Sequence, residues 1–171
     1  MTDAPNTTDT SAAVDSDSLR SVLGHFATGV VAITALQPDS SEPVGLAANS
    51  FTSVSLYPPL VAFCVAHTSQ SWPSVIKARR QAINILSEGQ EFIGRQLATR
   101  GTDKFKNLQW TPSPSGAPVF DGVAAWLEVE IDEQHHAGDH MIVVSRVHHV
   151  HSNDHDPLLF HRGRYGRLWT Q

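Results

Sequence analysis

The sequence has a single cysteine, Cys64, so no disulfide can form within the chain. That usage suits a reducing compartment, and a cytoplasmic location is expected. No apolar run approaches the roughly 20 residues a membrane-crossing helix needs, so no membrane partner is expected. Basic residues are few: 12 Lys and Arg stand against 17 Asp and Glu, a net charge of -5. Phosphate backbones are held by concentrated basic surfaces, so no nucleic-acid partner is expected either. Several motifs are also missing. There is no G-x-G-x-x-G after the first strand and no G-x-x-x-x-G-K-[ST], which argues against a Rossmann dinucleotide domain and a P-loop. Without G-x-S-x-G there is no nucleophile elbow of the α/β-hydrolase kind.

Ten histidines are present, eight of them from His135 onward. His148, His149 and His151 have spacings that ligands can use, but no cysteine or carboxylate holds a fixed motif around them. No physiological metal site is expected. At 171 residues and 40% hydrophobic composition the chain suits one compact domain. Met1 to Asp17 is rich in Ser, Thr, Asp, Ala and Pro and reads as a disordered tail. Residues 18–171 read as a single domain.

Leu19, Val22, Leu23 and Phe26 recur at helical spacing, which predicts a helix over 18–28 started by Ser16 to Ser18. Strands are predicted at Val30 to Thr34, Leu60 to Ala66, Ala82 to Leu86, Val123 to Ile131 and Met141 to Val150. Short helices are predicted from Trp72 to Arg79 and from Gln90 to Thr99. Gly101 to Pro118 reads as loop. Pro157 to His161 and Tyr165 to Trp169 read as a closing hairpin. About seven strands with only short helices between them point to a mainly β, closed or nearly closed antiparallel barrel.

Three stretches are chemically suggestive. Ala47 to Ser55 carries small and hydroxylated side chains where a strand usually carries bulk. Such a stretch suits either a slot for a flat ring such as an isoalloxazine or a plain polar-faced edge strand. Thr68 to Pro73 places hydroxyls before a helix start, as a phosphate site or as an ordinary cap. Gly138-Asp139-His140 is a turn opening a strand, where a histidine meets a ligand or simply faces water.

Taken together, these stretches resemble the short-chain flavin reductase family, the reductase components of two-component flavin-dependent monooxygenases. The likeness spans Leu19 to Leu168. It includes Leu19 to Val30, the Gly45 to Pro59 stretch with its Pro-Pro, Ser69-Gln70-Ser71-Trp72, Asp103-Lys104-Phe105, Gly138-Asp139-His140 and the closing Pro157 to Tyr165. The resemblance implies a split antiparallel β-barrel of Greek-key type with a few peripheral helices, forming a homodimer with flavin at or near its interface. It implies hydride transfer from NADH or NADPH to FMN or FAD, and delivery of reduced flavin to a separate flavin-dependent monooxygenase. It assigns Ala48, Asn49, Ser50, Phe51, Thr52 and Ser53 to the isoalloxazine and ribityl region. Ser69, Ser71 and Trp72 fall to the phosphate end, Phe105 near the flavin, and His140 and Tyr165 to the nicotinamide side. Hydride transfer needs no general base on the protein, so no catalytic residue is assigned. The other readings are a flavin carrier or sensor of the same fold that does not turn over NAD(P)H, and a histidine-based metal-binding module. Two positions depart from the family pattern: Ser145 replaces a usual Gly and His161 a frequent Tyr. Both are expected near the nicotinamide.

Overall fold

The computed structural model describes residues 14–101 and 103–169; most of the expected N-terminal tail therefore lies outside the described residues. Helix α1 runs over Ser16–Leu23. Its cap is Asp15, whose carboxylate accepts from the backbone N–H groups of Asp17 at 3.0 Å and Ser18 at 2.9 Å. The helix is shorter than its apolar spacing predicts, because the chain turns at Gly24 to Phe26 and then joins a small sheet. No residue of α1 is buried, and Phe26 just beyond it is 77% exposed.

The strands follow as β1 (Thr28–Gly29), β2 (Val31–Leu36), β3 (Pro43–Ala48), β4 (Thr52–Leu56) and β5 (Pro59–Ala66). After the single-turn helix α2 (Trp72–Val75) come β6 (Gln81–Ile85), a 3-10 turn at Glu88–Gln90 and helix α3 (Glu91–Ala98). Then come β7 (Trp110–Pro112), β8 (Pro118–Phe120), β9 (Ala125–Ala137), β10 (His140–Ser152), β11 (Leu159–His161) and β12 (Arg164–Gly166). Seven strands form one antiparallel sheet in the order β3-β2-β6-β9-β10-β5-β4. The two end strands, β3 and β4, are neighbours in sequence, yet they do not pair. The sheet thus curls on itself and stays open there, which makes the barrel a split one.

The Ala47 to Ser55 stretch is therefore two edge strands joined at residues 49–51, rather than one strand. The loop predicted over 101–118 holds the β7–β8 pair, anchored by a buried polar network. Asn84 of β6 donates to the carbonyls of Ala32 at 3.2 Å and Pro118 at 3.3 Å, and accepts from the Phe120 N–H at 2.9 Å. A fully satisfied buried amide of this kind fixes one packing of β8 on the sheet.

β2 is buried on both faces. Val31, Ile33 and Ala35 enter one core with Phe63, Ile83, Val129 and Val143. Ala32 enters a second core with Ile93, Leu97, Phe120 and Leu158, which packs α3 and β8 onto the sheet. Each fully buried large apolar side chain contributes about 1.5–3 kcal/mol. The first core holds the barrel wall, and the second holds α3 where it overhangs β3.

Candidate functional site

Beside the split, β3 and β5 wall a cleft of about 390 Å³, within the range of small-molecule sites. Its β3 wall is Leu46, Ala47 and Ala48, continued by Asn49 and Ser50. The opposite walls are Cys64 to Ala66 of β5 and the end of α3 at Leu97 and Ala98. Small side chains on β3 leave a flat, half-buried apolar floor. Thr68, Ser69, Gln70, Arg100 and Lys104 gather polar and cationic groups around it, and His140 lies at its rim.

Local contacts fix these groups. The Ser50 hydroxyl donates to the Cys64 carbonyl at 3.2 Å and accepts from the Cys64 N–H at 2.8 Å. The Ser69 hydroxyl accepts from the Trp72 N–H at 3.3 Å. Lys104 donates to the Leu97 carbonyl at 2.9 Å, a cation placed at the negative end of α3. Gln96 holds the loop around it by donating to the carbonyls of Lys104 at 3.0 Å and Lys106 at 2.9 Å. Burial lowers the Lys104 pKa from the ordinary lysine value. His140 Nδ1 lies 2.7 Å from the Asp139 carboxylate, which leaves the ring's other nitrogen for a further partner. The same contact, together with the charge of His140, holds the Asp139 carboxyl below its usual range.

Of the residues assigned from sequence, Ala48, Asn49, Ser50, Ser69 and His140 line this cleft together. Tyr165 lies on the other flank of the same strand. It lines a narrow opening with Ala47, Ala48, Asn49, Ala98 and Phe160. The Arg95 guanidinium sits 5.0 Å over its ring, and Gly94 leaves it room, since a Cβ there would lie 3.0 Å from the phenol oxygen. Burial raises the Tyr165 pKa. Ser71 lines an adjoining cleft rather than this one. Phe51 and Trp72 pack against the barrel core, and the Trp72 ring meets Phe63 edge-on at 5.9 Å. Phe105 stacks on Phe120 at 5.4 Å and lies beneath Gly45, so it supports β3 from the core side. Thr52 and Ser53 are exposed on the β4 edge.

The two sequence departures separate in space. His161 lines a surface depression with Arg162, Arg164 and Tyr165. Ser145 is fully buried in the sheet between Val61 and Ile131, five residues along β10 from His140, and lines neither the cleft nor the Tyr165 opening. The expectation that it touches the nicotinamide region is therefore corrected: it is a core position. Lys104 and Arg100 are cleft residues that were not assigned from sequence, and Thr68 and Gln70 join them from within the Thr68 to Pro73 stretch already singled out as a candidate phosphate site. Lys104 stands inside the Asp103-Lys104-Phe105 motif and was open to notice there; Arg100 carries no comparable signal. Among the described residues, no group of three or more metal-ligating side chains converges.

The profile of the flavin reductase like domain matches residues 23–168. The chain belongs to the flavin reductase-like family. It is 42% identical over 155 residues to a flavin reductase of Pseudomonas putida, covering 90% of this chain and 91% of that protein. It is 39% identical to the flavin-dependent monooxygenase reductase subunit HsaB of Rhodococcus jostii, covering 90% and 78% respectively. Among solved structures it superposes on the NADH:FAD oxidoreductase SgcE6 of Streptomyces globisporus with a TM-score of 0.83 at 37% identity, covering 91% of this chain and 95% of that one. These relatives are reductases, and the chain is an oxidoreductase of their kind.

Proposed function

We propose that this chain is an NAD(P)H:flavin oxidoreductase that reduces FMN or FAD for a separate flavin-dependent monooxygenase. The observation that carries the reading is the cleft at the barrel split: a flat floor of Leu46, Ala47 and Ala48, with hydroxyls, Gln70 and Lys104 at one end. That donor set fits a flavin, whose ring is flat and apolar and whose tail is polyhydroxylated and anionic. When bound, the flavin supplies the acceptor, N5, for a hydride from the nicotinamide.

The protein's own work is binding and orientation. Ala47 and Ala48 let a ring approach the strand closely. Asn49 and Ser50 present polar groups at its edge. Ser69, Gln70 and Lys104 meet the phosphate; with α2 only one turn long, Lys104 rather than a helix dipole supplies the charge. His140, oriented by Asp139, receives the nicotinamide side, and Tyr165 closes the other flank of β3. Phe105 and Trp72 act from beneath, as the packing that keeps the floor flat. Phe51, Thr52 and Ser53 lie toward the β4 edge, where a second subunit would bring the ligand against them.

A homodimer is part of the proposal. The apolar face of α1 and the residues Leu56 and Tyr57, 93% and 96% exposed, have no cover among the described residues. Light scattering at micromolar concentration is expected to give twice the chain mass, and an active monomer would remove this part. No described helix is long and apolar enough to cross a membrane. With its lone thiol the chain is assigned to the cytoplasm. The activity is tested by steady-state oxidation of NADH and NADPH with and without added FMN or FAD. Oxidation is expected to require flavin. Tight flavin binding without any oxidation would make the chain a carrier instead.

A further inference from the structure

A second cleft, about 250 Å³, continues from the first. Gln70 and Lys104 line both. Along β3, Leu46 to Ala48 wall the first cleft and Pro43 to Gly45 wall the second. The two therefore lie in succession along one strand, over about 17 Å at the usual strand rise. The second cleft is smaller than the usual range for a whole ligand, which begins near about 300 Å³, and suits one end of a longer molecule.

Its chemistry differs from the first. Pro43 and Val44 give an apolar wall, Ser71 and Ser74 add hydroxyls, and Gln37 and Glu42 stand on the β2–β3 turn. Backbone bonds brace that turn: the Gln37 N–H donates to the Glu42 carbonyl at 3.0 Å, and the Ser41 N–H to the Gln37 carbonyl at 2.9 Å. Among the described residues, the Gln37 and Glu42 side chains have no hydrogen-bond partner. A carboxylate accepts from the paired hydroxyls of a ribose, and a carboxamide both donates to and accepts from a purine edge. The same carboxylate repels a bare phosphate, so the anionic part of a ligand belongs at Lys104, on the boundary.

Resting on the flavin reading above, we infer that the second cleft takes the adenosine end of FAD, and that Glu42 and Gln37 make this chain select FAD over FMN. FMN ends at the Lys104 boundary and leaves the second cleft unfilled. FAD keeps its phosphates at the Lys104 boundary and lays its adenosine onto the Pro43-Val44 wall.

The test is a titration of the purified full chain with FAD, FMN and riboflavin in the absence of nicotinamide nucleotide, repeated on Glu42→Ala and Gln37→Ala. FAD is expected to bind at least tenfold more tightly than FMN. Each variant is expected to weaken FAD several-fold and leave FMN where it was. Equal affinity for FAD and FMN, or equal losses for both in the variants, overturns the inference while the flavin reading stands. Failure of all three flavins to bind overturns the flavin reading itself. Since NADH also carries an adenosine, KM for NADH is measured on the same variants. A raised KM with unchanged FAD affinity assigns the cleft to the nicotinamide nucleotide and overturns the FAD assignment.

Discussion

Ser50 and Cys64 face each other across the split in the barrel, and the serine hydroxyl bonds both backbone groups of the cysteine. This contact ties the β3–β4 turn to β5 where the sheet fails to close by pairing. It therefore sets the width of the cleft that begins beside it. Replacing Ser50 with Ala removes both bonds at an exposed position, so a stability loss of only about 1 kcal/mol is expected. Flavin affinity is expected to fall several-fold, because the two walls are no longer held at a fixed spacing. Urea unfolding and flavin titration on the same preparation check this; unchanged affinity would show that the contact does not set the cleft.

Glu128 is a second point of attachment, remote from the cleft. Its side chain is 0% exposed, and its carboxylate accepts from Ser113 Oγ at 2.5 Å, the Ser115 N–H at 2.8 Å and Ser115 Oγ at 2.9 Å. Burial pushes its pKa up, but the three hydrogen bonds together outweigh it, and the net shift is downward. A depressed carboxylate pKa adds stability in full above the ordinary glutamate range, and that stability is lost as pH falls through the depressed value. Glu128→Gln is expected to cost about 2–3 kcal/mol near neutral pH, because an acceptor-only group gives way to one that also donates. The difference from wild type is expected to shrink in acid, in chemical denaturation followed across pH. A difference independent of pH would remove the linkage.

Ser145 presents the opposite case. It is fully buried, and among the described residues its hydroxyl has no hydrogen-bond partner. An unmade buried bond is costly, so Ser145→Ala is expected to raise stability by about 1 kcal/mol without changing flavin or nucleotide binding. A loss of stability in thermal or urea unfolding would mean that the hydroxyl is satisfied after all.

The barrel was legible because its long strands alternate in period two and lie between turn residues; β9 and β10 show this most plainly. The family resemblance implied a split barrel, but the place of the split was not legible, because nothing in Ala47 to Ser55 marks where one edge strand stops and another begins. That depends on Ser50 meeting Cys64, fourteen residues away. The β7–β8 pair was hidden by Pro112, Pro114 and Pro118, which read as loop, while the contact that builds it comes from Asn84 on another strand. At the site, Ala48, Asn49, Ser50, Ser69 and His140 were placed by motif. Lys104 was passed over because its neighbour Phe105 drew the assignment, though Phe105 turns into the core. Ser145 was misplaced because it is near His140 in sequence but about 17 Å along an extended strand.

On the proposed reading, His140 serves the nucleotide rather than the flavin. It lies at the rim of the cleft, beside Asp139 and paired with Ala66 of β5, not on the β3 floor. His140→Ala is expected to leave flavin affinity near the wild-type value. It is expected to raise KM for NAD(P)H or slow flavin reduction by about tenfold, equivalent to roughly 1.4 kcal/mol of transition-state stabilisation. Asp139→Asn is expected to act in the same direction and more weakly, since it loosens the ring without removing it. Collapse of flavin binding in His140→Ala would place the histidine in the flavin site.

On the proposed reading, this chain itself brings nicotinamide and flavin together for hydride transfer. This is tested most directly by anaerobic single-turnover mixing of flavin-loaded protein with NADH or NADPH, watching the flavin absorbance. Rapid loss of the oxidised-flavin band is expected, slowed when the transferred hydrogen of the nucleotide is deuterium. A flavin that stays oxidised in the presence of excess of either nucleotide would contradict it.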